Sequence, residues 1–79
     1  MNGLRMYMDG GGAETRRTLR VFYSRREDGP YYRWIYDDAI RKWRVGRVKS
    51  VTLARTLSAA AWKTLPVALQ RSIVEHYQD

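Results

Sequence analysis

The chain has 79 residues, no cysteine, and fifteen Lys+Arg against eight Asp+Glu, for a formal net charge of +7. A chain of this length holds one domain and buries only about 60% of its unfolded surface; without cysteine, neither disulfides nor thiolate metal sites can reinforce it. The cation excess, with arginines interleaved among aromatics from Arg16 to Arg47, makes a nucleic acid or another polyanion the first partner to consider.

Residues 1–79 are expected to form a single small domain. The stretch Met1 to Met8 carries Arg5 and stops at Asp9, short of the apolar run that a signal peptide requires. No window reaches the roughly 20 apolar residues of a membrane span. Together with the lack of cysteine, this predicts a cytoplasmic protein with no membrane partner. Asp9-Gly10-Gly11-Gly12 has free access to positive φ and predicts a flexible joint at 9–13. The pattern leaves open whether the Met-rich segment before it joins a sheet. No Gly-Lys-Ser/Thr follows these glycines, so they do not make a phosphate-cradling loop.

Leu19, Val21 and Tyr23 alternate with Arg20, Phe22 and Ser24, which predicts a strand over about 18–25. Glu27-Asp28-Gly29-Pro30 then supplies turn chemistry, with Asp-Gly able to take the left-handed conformation. Tyr31 to Val48 admits two readings. As a helix it would start at Pro30, place Tyr32, Ile35, Tyr36, Ala39, Ile40 and Trp43 on one face, and stop at Gly46. As a hairpin it would run as strands at 31–37 and 42–49, with Tyr32, Trp34, Tyr36, Trp43 and Val45 on the buried side and Arg33 and Arg44 on the other. The hairpin is favoured, because Tyr31 to Tyr36 holds four aromatics and an isoleucine, which suit a pleated surface. Gly46 is expected to mark a bulge, since the apolar alternation changes face between Val45 and Val48.

The last third predicts a helical segment over about 58–78, with Ser58 as N-cap and Trp62 and Leu65 on one face. Pro66 opens a second helix or kinks the first. Leu69, Ile73 and Tyr77 recur at i, i+4, i+8 and form a stripe that can cover one sheet face, leaving the other free. The expected class is α+β: a small antiparallel sheet of three to four strands packed by a C-terminal helical segment.

No catalytic arrangement is present, and the protein is expected to be a non-enzymatic binder without cofactor. His76 is the single histidine and has no second imidazole or thiol to complete a metal site, which needs three or four ligands. Asp37-Asp38 falls short of the oxygen cage a hard cation requires and is better explained by turn formation. Ser24, Ser50, Ser58 and Ser72 have no partner set for nucleophilic catalysis.

Binding chemistry is concentrated in Arg16-Arg17 with Arg20, Arg25-Arg26 with Arg33, and Arg41-Lys42-Arg44 with Arg47 and Lys49. Guanidinium forks onto phosphate and stacks on bases, whereas lysine supplies a mobile point charge. The hairpin reading puts Arg20, Arg33 and Arg44 on one face near Phe22, Tyr31 and Ile35. The expected nucleic-acid site is therefore Arg20, Arg33, Arg41, Lys42, Arg44 and Arg47 on phosphate, with Tyr31 or Phe22 stacking on a base. Single-stranded DNA or RNA is preferred to duplex, and a homodimer is expected because a second copy would add core. The alternative function is a protein-interaction module, an accessory subunit or inhibitor, docking an acidic protein partner through the same arginines.

Short strands followed by Leu57-Ser58 and Trp62 resemble, in outline, the positive-cofactor type of single-stranded DNA-binding domain. That resemblance implies a curved sheet that dimerises through the helix. A three-stranded sheet backed by one helix also resembles the arm-type readers of duplex DNA, which lay the sheet in the major groove.

Overall fold

Period-two alternation builds most of the fold. The computed structural model describes residues 3–9, 21–49 and 57–78. In them the strands are β1 (Leu4–Asp9), β2 (Val21–Arg26), β3 (Tyr31–Asp37), β4 (Lys42–Val48) and β5 (Leu57–Ala59), followed by a 3-10 turn (Trp62–Thr64) and helix α1 (Val67–Tyr77). The sheet order is β4-β3-β2-β1-β5, and every neighbouring pair is antiparallel. The fold is α+β, an antiparallel sheet packed by one C-terminal helix. The Met-rich N-terminal segment joins the sheet as β1, between β2 and β5. Most of the expected joint at 9–13 and the first residues of the expected strand at 18–25 lie outside the described residues.

Residues 31–48 form the hairpin and not the helix, pairing without interruption from Tyr31↔Val48 to Asp37↔Lys42. Its loop is set by Asp37, whose Oδ1 accepts the Ala39 amide at 2.9 Å, and by Arg41, which lies in the left-handed region at φ 53°. In the β2–β3 turn Glu27 takes the left-handed conformation, at φ 50°, where the sequence pointed to Asp-Gly. The Glu27 amide donates to the Gly3 carbonyl at 3.0 Å, so the start of β1 holds this turn in place.

Two local expectations are corrected. Gly46 makes no bulge: it pairs one-to-one with Arg33, and a Cβ built on it meets nothing within 4 Å. Val45 and Val48 can lie on opposite faces of a regular strand because β4 borders the described sheet and neither face is sealed there. Leu57-Ser58-Ala59 is not the start of a helix. Ser58 lies in β5 opposite Met8, and the helix begins only at Val67. Pairing with β1 overrides the helix propensity of this alanine-rich stretch. Pro66 takes the N-cap position at φ −54°, and the Gln70 side-chain amide donates to the carbonyls of Leu65 (3.0 Å) and Trp62 (3.1 Å). That amide ties the 3-10 turn to the first turns of α1.

The core lies between α1 and one sheet face. Register aligns Met6 with Ser24, Met8 with Phe22, and Phe22 with Trp34 across three strands. Onto them pack Leu65, Leu69 and Ile73. Full burial of each such apolar side chain contributes about 1.5–3 kcal/mol. One polar chain crosses this layer: the Trp34 indole N–H donates to Ser24 Oγ at 2.8 Å, and Ser24 Oγ shares a hydrogen bond with Tyr77 Oη at 2.7 Å. Tyr77 is the last residue of α1, so the network holds the C-terminal end of the helix against the middle of the sheet.

Candidate nucleic-acid interface

The β3–β4 hairpin carries most of the expected binding residues, and the pleat decides which side each one takes. Arg33, Lys42 and Arg44 point away from α1, with Arg33↔Gly46, Ile35↔Arg44 and Asp37↔Lys42 in register. Arg33 and Arg44 are diagonal neighbours on this face, a spacing of about 7–8 Å. Arg44 Nη1 lies 3.2 Å from Asp37 Oδ2, and its side chain remains 69% exposed. The same carboxylate therefore shapes the hairpin loop and partly neutralises one arginine. Arg47 takes the helix side, opposite Tyr32, and Arg41 sits in the loop; both are exposed. Among the described residues, Arg33, Arg41, Lys42 and Arg47 form no ion pair. Arg20 lies outside the described residues.

The aromatic part of the expected platform is largely occupied. Phe22 is in the core beneath α1, 4% exposed, with its ring 5.9 Å from that of Trp43. It cannot stack on a base; the pleat turns it to the side opposite Arg33. The face away from α1 is also not bare, because Tyr23, between Tyr7 and Arg33 in register, is only 5% exposed. Tyr31 is on that face and half-buried, but Arg25 Cζ already lies 4.8 Å from its ring centroid. Arg25 is held there by bonds from Nε to the Gly29 carbonyl (2.9 Å) and from Nη1 to Tyr31 Oη (3.4 Å).

A second basic region was not legible in the sequence. Between β4 and α1 is an open cleft of about 640 Å³, lined by Trp43, Val45, Arg41, Lys42, Arg71 and Glu75 among others. Its charges come from segments some thirty residues apart, Arg41 to Arg71, and no local pattern connects them. His76, at one side, is exposed and sits edge-on to Tyr32 (4.5 Å between centroids) and Trp34 (5.3 Å). Burial raises the Tyr77 hydroxyl above its ordinary pKa of 10.0; the Ser24 hydrogen bond acts in the opposite direction.

Among the described residues no three His, Cys, Asp or Glu side chains are grouped to hold a metal ion, and no helix is long and apolar enough to cross a membrane. The helix start that carried the resemblance to single-stranded DNA-binding domains is absent, since Leu57-Ser58 is strand and Trp62 opens a 3-10 turn. No protein-family model, curated protein or solved structure matches the chain.

Proposed function

We propose that the protein is a non-enzymatic nucleic-acid binder whose β3–β4 hairpin holds the phosphate backbone. The observation that carries this reading is the set of four exposed cations, Arg33, Arg41, Lys42 and Arg47, that form no ion pair among the described residues. Like charges carried on one hairpin repel one another, and a polyanion relieves that repulsion while releasing its own counterions. Lys42 and Arg44 are two residues apart along β4 on the same face, about 6.8 Å. Arg47 extends the same strand's charge to its other side, so a backbone lying along β4 meets cations on both flanks.

Four phosphate contacts predict a salt slope near −3 in log K against log salt for a single strand, at about 0.7 per contact. Fluorescence anisotropy with labelled single-stranded and duplex oligonucleotides at two salt concentrations measures it. Arg33→Gln with Arg47→Gln is expected to reduce the slope by about 1.4 while the circular dichroism spectrum stays unchanged. Affinity that does not change with salt, or no binding near physiological salt, would sink this reading and direct attention to an acidic protein partner.

A further inference from the structure

We infer that the cleft between β4 and α1 accepts an unstacked base of a single-stranded nucleic acid, with Trp43 and Val45 as its floor and Arg41 and Arg71 around the adjoining phosphates. The inference rests on the proposed function and locates the base-reading part of it on the helix side of the sheet. The face away from the helix holds cations, but its aromatics are committed: Tyr23 is buried and Tyr31 is covered by Arg25. On the cleft side, exposed apolar surface remains on β4. Val45 is 40% exposed on the cleft floor, and Trp43 beside it is half-buried, its ring edge-on to Tyr36 at 5.4 Å. The helix thus leaves apolar surface on β4 open next to positive charge, which is the combination single-strand binding sites use.

The rim matches a polyanion in sign, with Arg41 and Arg71 against Glu75. Arg41 stands in the left-handed region at φ 53°, where glycine or asparagine would sit more easily. The hairpin loop takes that conformation at Arg41, as the β2–β3 turn does at Glu27, and Arg41 lines the mouth of the cleft. Bases in a duplex are stacked and paired and cannot enter; bases in a single strand can turn out at small cost. The cleft therefore selects strand form, whereas the ridge of β4 binds charge from either form.

The test uses the full chain, oligothymidylate, and the duplex of the same strand with oligoadenylate. Tryptophan indole N–H resonances are followed by heteronuclear NMR and assigned through Trp43→Leu and Trp62→Phe. The Trp43 resonance is expected to shift with the single strand and not with the duplex, while that of Trp62 stays in place. Trp43→Leu with Arg71→Gln should weaken single-strand affinity by about tenfold or more and duplex affinity by less than about twofold. Trp43 touches Phe22, so Arg71→Gln alone, at an exposed position, keeps the test valid if the double variant does not fold. Equal affinity for both strand forms, or a single-strand affinity that Arg71→Gln leaves unaltered while Arg33→Gln with Arg47→Gln reduces it, would overturn the cleft and leave the ridge. If neither probe binds, both readings fall.

Discussion

Ser24 shows how one small side chain can hold two elements together. It is fully buried, accepts the Trp34 indole N–H, and bonds to Tyr77 at the end of the helix. Ser24→Ala removes the acceptor and leaves the indole N–H, on a residue 1% exposed, without a partner. The expected loss is about 1–3 kcal/mol, the cost of an unsatisfied buried donor, read as a lower denaturation midpoint in urea. Tyr77→Phe should cost less, about 0.5–1.5 kcal/mol, because Ser24 remains to serve Trp34. A Ser24→Ala protein as stable as the parent would show that the network holds nothing. The same residue scale explains a misplaced site residue. Phe22 and Tyr23 are adjacent aromatics on a strand, either could face the helix, and only the register with Met8 and Trp34 settles that Phe22 does.

Among the elements, the β3–β4 hairpin was the most legible, because aromatic strands and an acidic turn agree with one another and with the pleat. It correctly separated Arg33 and Arg44 from Trp34, Tyr36 and Trp43. The alanine-rich 57–61 stretch was the least legible: its local preference is helical, and its place in β5 depends on an unpaired edge of β1 that lies far away in sequence. The cleft was illegible for a related reason, since it exists only once α1 is laid across β4. Gly46 yields a prediction for β4 itself. It adopts ordinary strand pairing and has open space at its Cβ position, so a β-branched residue gains strand propensity without a clash. Gly46→Thr should raise stability by about 0.5–1 kcal/mol, seen as a higher thermal midpoint. A lower midpoint would contradict the regular pairing described here.

For the molecule as a whole, the cooperative unit is small, and single titrations show in its stability. Burial holds the Tyr77 hydroxyl above 10.0, so the folded chain keeps a proton that the unfolded chain gives up. The Tyr77 contribution is then fully present below pH 10 and is lost as pH rises through the elevated folded value. Denaturation midpoints of the parent should fall in that alkaline window more steeply than those of Tyr77→Phe. Parallel curves would show that this hydroxyl is not linked to folding.

β4 also has one flank without a strand partner among the described residues, and there its backbone N–H and C=O groups alternate with Lys42, Arg44 and Arg47. Such charges oppose the addition of a further strand at this edge. On the proposed function, a bound polyanion would neutralise them. Mixtures near charge equivalence should therefore turn turbid through strand-to-strand association of the protein, and clear again when the nucleic acid is in excess and restores a net charge of the opposite sign.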